Sequence, residues 1–452
     1  MLKFIYDRYD FKRRKPYPNL FDKAIISYYN QHSDEYNYDI NTQRFLLSTC
    51  HSELYGNMIS KTKNYIIAQD GVPNDGEKYF YPIEIFGNHR RLLMNSDYKT
   101  NDGVKYSTSF NTGVSQKIID LAKADRIKFI INYSHEPFSD SWFMEQFEKM
   151  INSMGLNMSM FHFFVGTSNL YELLPELKPY NFYFEDSIIT STAIKIKNLK
   201  SQPNFTLGYK TEWIDESEID VNRNKYFVCL NRNSQKPFRY TFGCFLEAKN
   251  MWDKIYASFL KKSDNRALYL TGDEYFDLSI KTSEESFMNK IPIEVDTQSS
   301  EDKESFEVAK AFKKEIYLDS YIYIVTETNF ENDIFLTEKI CNPMAVLQPF
   351  IIFGAYGYLK YLRSLGFKTF DGFIDESYDE IKNNEQRYLK ICSEIERIST
   401  LPIDELHNWY KSIKEILIHN RNHLLGFADK TMFKDNLEKI EKQWIKPIIK
   451  FL

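Results

Sequence analysis

Nowhere in this 452-residue chain does an uncharged apolar run reach the length of about 18 residues that a membrane-spanning helix needs, so no such helix is expected. Cysteine is scarce: Cys50, Cys229, Cys244, Cys341 and Cys392 are odd in number, far apart and set mostly among apolar neighbours. No pair shows metal-ligand spacing, and reduced core thiols in a cytoplasm-like compartment are the expectation. A strong excess of either charge is also missing. The net charge of -5 supplies no global field to draw in nucleic acid or an anionic membrane. A local basic run, Lys12-Arg13-Arg14-Lys15, reads as a solvated turn. The start of the chain, Met1 to Arg8, gains charge too early for a secretion signal. There is no Gly-x-x-x-x-Gly-Lys phosphate loop, no His-Glu-x-x-His and no Gly-x-Ser-x-Gly elbow. His419 and His423 stand four apart with no evident third metal ligand, and with His407 they read as solvated helix residues. The expected setting is the cytoplasm of a bacterium or of a virus-infected host cell.

What is present is a folded composition, 43% hydrophobic and 27% charged. Aromatics reach 16%, with 36 Phe and 32 Tyr, enough to fill large cores, although an AT-rich genome produces the same bias. The length predicts roughly two or three domains. Short, continuously apolar, β-rich runs come in two sets. The first includes 128–133 and 161–165; the second holds 226–230, 267–270, 321–325 and 349–353. Such runs are strands buried on both faces. Helical patterns lie between them, from Ser115 to Ala124, Lys236 to Asn250 and Thr337 to Leu347. This alternation predicts parallel sheets with crossover helices. A polar stretch, 201–224, reads as the link between the sets, and about 297–307 as a surface loop. After about Asp375 the pattern turns helical, with amphipathic segments from Pro402 to His423 and from Met432 to Lys446.

The expected fold is therefore α/β: two Rossmann-like domains facing a cleft, the GT-B arrangement, with a helical C-terminal extension. The expected division is 1–205, 222–375 and 376–452. Ligands of open α/β sheets bind beyond the carboxyl ends of the strands.

One such end is Thr326-Glu327-Thr328-Asn329-Phe330, followed by Phe335-Leu336-Thr337-Glu338-Lys339-Ile340. Thr337 suits an N-cap and Glu338 the first turn of a helix whose free N–H groups can hold a phosphate. Lys339 adds a point charge, and Glu338 can accept hydrogen bonds from ribose hydroxyls. A capped helix with exposed Glu and Lys is the plainer alternative.

The block resembles the donor-site signature of the α1,3-fucosyltransferase family, in which Phe-Glu-Asn-Ser leads to Thr-Glu-Lys, then to Val-Pro-Val-Val and Gly. Here the last part is Gln348-Pro349-Phe350-Ile351-Ile352-Phe353-Gly354. A second block, Tyr226 through Asn231-Arg232-Asn233-Ser234 to Lys236-Pro237-Phe238-Arg239, is similar to the family's strand, Ser-Asn-rich turn and helix-opening Arg. The family's Arg contacts the donor pyrophosphate, and Arg239 stands in its place with Arg232 and Lys236 beside it. The likeness spans about 130 residues, from Tyr226 to Gly354. The chain departs from it at Thr326-Glu327-Thr328-Asn329 and lacks the usual nearby Cys.

The resemblance implies an inverting transfer from a nucleoside diphosphate-sugar, with GDP-fucose as the model donor, to a hydroxyl on a glycan. The donor-binding set it implies is Asn231, Arg232, Lys236, Arg239, Glu327, Asn329, Thr337, Glu338 and Lys339. No other cofactor is implied. The chain contains no Asp-x-Asp triplet, so a metal-independent enzyme is expected. Such chemistry needs a base for the hydroxyl proton and positive charge for the leaving phosphate. The base falls at the end of a strand of the first domain: Glu136, with His135 as the alternative. Gly166-Thr167-Ser168-Asn169 is placed to line the acceptor side. Two other readings stay open: an acceptor on DNA, as in virus-encoded enzymes that decorate modified bases, and a non-catalytic structural or interaction protein built on the same fold.

Overall fold

The computed structural model describes residues 2–6, 65–69, 76–84, 89–93, 97–99, 105–107, 114, 116–134, 137–184, 188–189, 192–193, 196–197, 213–231, 236–259, 278–295 and 314–428. These form two compact units, one of residues up to 184 and one of residues 188–428. No helix among the described residues is long and apolar enough to cross a membrane.

The first unit is built on β1 (Leu2–Tyr6), β2 (Tyr65–Gln69), β3 (Tyr79–Glu84), β6 (Ile127–Tyr133), β7 (Phe161–Val165) and β8 (Asn181–Phe184), with a small antiparallel pair, β4 (Asp97–Lys99) and β5 (Lys105–Ser107), outside the main sheet. The sheet runs β2-β1-β3-β6-β7-β8 and every neighbouring pair is parallel. Helix α1 (Gln116–Lys123) turns Ile118, Ile119 and Ala122 inward. Helix α2 (Ser141–Ser153) buries Phe143, Met144, Phe147 and Ile151, and the Asp140 carboxylate caps it by accepting from the Phe143 N–H. That spacing is the 3.6-residue period of a helix with one apolar stripe. The stripe meets β7, where Phe147 sets its edge on Phe161 at 5.2 Å, and Phe161 stacks on Phe129 at 4.8 Å.

Strand β7 also carries His162, 5% exposed, with Nδ1 3.1 Å from the Tyr183 hydroxyl. Burial, with Lys128 adding to it, pulls its pKa down to about 4. Below the unfolded value of about 6.5 the unfolded chain then binds a proton that the folded chain refuses. Stability is thus fully present above that pH and falls as pH drops toward 4, by roughly 3 kcal/mol. Chemical denaturation of the wild type and of His162→Leu at pH 7 and pH 4 checks this. The wild type is expected to lose more between the two, and parallel losses would remove His162 as the cause.

The second unit is built on β9 (Lys225–Asn231), β10 (Ile255–Phe259), β11 (Ser320–Thr326) and β12 (Phe350–Phe353), all parallel in the order β10-β9-β11-β12. All seven residues of β11 and all four of β12 are buried, as their unbroken apolar runs predict. Its helices include α3 (Pro237–Ala248), α4 (Glu338–Ala345), α5 (Tyr358–Ser364), α6 (Asn384–Ser399), α7 (Ile403–Ser412) and α8 (Lys414–Gly426). Ile391, Ile395, Leu406, Tyr410, Leu417 and Leu424 of α6–α8 share one core with the strands. The helical region that the sequence marks off after Asp375 thus packs, in its described part, within this unit. The segment expected as one amphipathic stretch from Pro402 to His423 is broken at Ile413.

Residues 213–224, the described part of the expected link, also belong here. Ile214 and Ile219 are buried, and the buried Arg223 donates to the Val221 carbonyl at 2.9 Å and the Tyr410 hydroxyl at 2.9 Å. Ile189, Ala193 and Ile196, assigned from the sequence to the first domain, lie in this same core. Cys229, Cys244, Cys341 and Cys392 are free and buried. The expected strand 267–270, the basic run 12–15, Cys50, the 297–307 loop and the 432–446 helix lie outside the described residues.

Both units are α/β with parallel sheets and flanking helices, compatible with two Rossmann-like domains. In the second, the chain leaves β9 for β10 on one side and reaches β11 on the other. The switch point therefore lies between the carboxyl ends of β9 and β11.

Candidate functional site at the ends of β9 and β11

Strand β9 ends on Asn231 and β11 on Thr326, and the Thr326 hydroxyl donates to Asn231 Oδ1. Asn231 is 2% exposed, and its Nδ2 donates to Cys229 Sγ at 3.2 Å. Pro237 opens α3 after Lys236, a position where its missing N–H costs nothing. Two residues later Arg239 points back at the sheet, 5% exposed, with Nη2 donating to the carbonyls of Thr326 and Glu327, both at 2.8 Å. Burial pulls its pKa down while the Glu327 charge acts the other way. The guanidinium is thereby fastened to the carboxyl end of β11.

Glu327 is fully buried. Its carboxylate accepts from Thr337 Oγ1 at 2.6 Å, the Tyr358 hydroxyl at 2.6 Å and the Thr328 N–H at 3.2 Å. A buried carboxylate with three internal donors is not open to a ligand; Glu327 positions its neighbours. Burial and that carboxylate hold the Tyr358 hydroxyl well above its ordinary pKa, so it stays a donor. Thr337 uses its remaining capacity as the N-cap of α4, accepting from the Lys339 N–H at 3.3 Å.

The two lysines meet at Thr328. Lys236 Nζ donates to its carbonyl, and Lys339 Nζ donates to its hydroxyl at 3.2 Å and to Glu338 at 2.9 Å. Glu338 keeps a 41% exposed side chain. Burial pushes its pKa up, but Lys339 and Arg239 outweigh that and hold the carboxyl below its ordinary range. Asn329 Nδ2 donates to Asp333, and its Oδ1 accepts from the Glu331 N–H at 3.3 Å, which shapes the loop between β11 and α4.

Asn231, Lys236, Arg239, Glu327, Thr337, Glu338 and Lys339 thus converge on one strand-end cluster, with Asn329 in the loop beside it. Arg232, Glu136 and His135 lie outside the described residues. In the first unit, Thr167 accepts the Phe138 N–H at 2.7 Å and is 1% exposed, so it ties the loops after β6 and β7 together rather than lining a surface. Sequence reasoning missed three residues. Thr328 stood unremarked inside the motif. Tyr358 and the buried Arg387 carry no sequence signal, because their partners are distant carboxylates and carbonyls.

The C-terminal histidines are partly exposed and each also has a partner within the protein. His419 Nε2 lies 3.0 Å from the Gly366 carbonyl and His423 Nε2 lies 2.7 Å from the Leu365 carbonyl, so both tie down the carboxyl end of α5. His407 Nδ1 sits 3.0 Å from the Tyr321 hydroxyl. No cluster of three or more His, Cys, Asp or Glu placed to hold a metal occurs among the described residues.

The chain matches no protein-family model and no curated protein. What fold and site define is a class: an α/β protein of two units with parallel sheets. The second unit gathers cationic side chains and a capped helix start at its strand ends.

Proposed function

We propose that the protein is an inverting, metal-independent glycosyltransferase of GT-B type. It takes a sugar from a nucleoside diphosphate-sugar, with GDP-fucose as the model donor, to a hydroxyl on a glycan. The observation that carries this reading is the meeting of Lys236, Arg239 and Lys339 at the switch point, beside the N-terminus of α4. As the bond from the anomeric carbon to phosphate breaks, negative charge gathers on the departing diphosphate. Cations and helix N–H groups preorganised at that spot stabilise it without further reorganisation. Arg239 supports the end of β11, Lys339 and Lys236 face the phosphates, and Glu338, kept ionised, accepts the ribose hydroxyls. The acceptor hydroxyl loses its proton to Glu136, with His135 as the alternative base.

Lys339 gives the cleaner test because it is 29% exposed and part of no buried carbonyl network. Lys339→Ala is expected to weaken GDP binding by roughly 10- to 100-fold in calorimetric titration, the worth of a hydrogen bond to a charged group. Wild-type affinity in that variant would reject the assignment. A screen for slow hydrolysis of nucleotide-sugars then separates an enzyme from a donor-binding protein that catalyses nothing.

A further inference from the structure

Strand β12 lies beside β11, and its carboxyl end leads through Gly354 and Ala355 to Tyr356, a residue 38% exposed. Gly357 follows with φ +76°, a left-handed conformation that costs a glycine nothing and turns the chain sharply into α5. The start of α5 is already occupied. The Asp379 carboxylate accepts from the Leu359 N–H at 2.8 Å and the Lys360 N–H at 2.9 Å, while its carbonyl takes the Gly357 N–H at 2.9 Å. The helix end therefore has nothing left for an anion, and the tyrosine ring is what this corner presents. Lys382 Nζ sits over that ring, 5.4 Å from its centroid.

Both halves of this pair are fixed from below by Arg387. Its Nε donates to the Gly354 carbonyl at 3.1 Å and its Nη1 to the carbonyls of Ile381 at 2.9 Å and Lys382 at 3.2 Å. Its Nη2 donates to the carbonyls of Phe330 at 2.6 Å and Glu331 at 3.0 Å, in the loop that carries Thr328. Tyr358, two residues beyond Tyr356, reaches Glu327 in the cation cluster. One guanidinium and one hydroxyl thus tie the backbone on either side of Tyr356 to the strand end that carries the lysines.

We infer that Tyr356 is the stacking platform for the nucleobase of the diphosphate held by Lys236 and Lys339, with Lys382 steadying the ring by a cation–π contact. This rests on the donor-site reading above and deepens it: the ligand is a nucleoside diphosphate rather than any polyphosphate. A base stacks on an aromatic face whatever its identity, so the platform supplies affinity while leaving the choice of base to other groups.

Calorimetric titration of the full chain with GDP, UDP and inorganic pyrophosphate tests it, in the wild type, Tyr356→Ala and Tyr356→Phe. Tyr356→Ala is expected to lose roughly 10- to 100-fold in affinity for whichever nucleotide the wild type binds, with pyrophosphate unchanged. Tyr356→Phe keeps the ring and is expected to bind as the wild type does. Unchanged nucleotide affinity in Tyr356→Ala overturns the inference, and so does an equal loss for pyrophosphate. A wild type that binds pyrophosphate but no nucleotide overturns it while sparing the phosphate site. A wild type that binds none of the three removes the donor site and the platform together.

Discussion

Arg387→Leu is expected to destabilise the second unit by about 3–5 kcal/mol, the range for losing a buried charge with its hydrogen bonds. Arg387 is 1% exposed, and besides the five carbonyls already named its Nη2 donates to Asn384 Oδ1 at 2.8 Å. Its guanidinium also lies over the Phe330 ring, 4.7 Å from the centroid. The charge is spread over carbonyl dipoles from three separate segments. Leucine would fill much of the volume but leave those oxygens buried without their donor, at about 1–3 kcal/mol for each that water cannot reach. Lysine would restore the charge without the planar fork that spans the three segments, so Arg387→Lys is expected to recover little. Urea denaturation checks the free energy of both variants, and thermal unfolding is expected to show a fall in melting temperature of roughly 10 °C for a unit of this size. A loss below about 1 kcal/mol would show that the carbonyls find other partners.

Glu327→Ala is expected to be nearly as costly, about 3–5 kcal/mol, with nucleotide binding lost as well. Removing the carboxylate strips Thr337 and Tyr358 of their common acceptor and deprives the buried Arg239 of the negative charge that most favours its ionised form. The N-cap of α4 and the Thr328 hinge between the two lysines depend on the same group. Glu327→Gln separates shape from charge: it keeps the volume and one acceptor oxygen but turns an N–H₂ toward groups that donate. A smaller loss of about 1–2 kcal/mol is expected there. Equal stability of Glu327→Ala and the wild type by denaturation would end the role of Glu327 as the centre of the cluster.

How much of this was legible varies with where each element gets its signal. Strands β9, β11 and β12 stand out because burial forces an unbroken apolar run, and β6 and β7 stand out by their aromatic and branched residues although Lys128, Asn132 and His162 interrupt them. Strand β10, Ile-Tyr-Ala-Ser-Phe, does not, because a fully buried Ser258 interrupts it. Strand β1 is short and includes Lys3, and it takes its place through pairing with β2 more than sixty residues away. Thr337 and Pro237 were readable as helix starts because capping is local chemistry. The carbonyl partners of the α8 histidines, at Leu365 and Gly366, were not legible because they lie more than fifty residues back.

The sequence by itself determined the α/β class, the two sets of strands and the residue types available at each strand end, since these depend on periodicity and on neighbours a few residues apart. Only the tertiary structure decided that Glu327 is an internal centre rather than an open carboxylate. Only it decided that Thr328 joins two lysines, and that Arg387 holds three segments in register. Those outcomes depend on which groups burial brings within hydrogen-bond reach, and a buried polar group must take whatever partner the packing delivers.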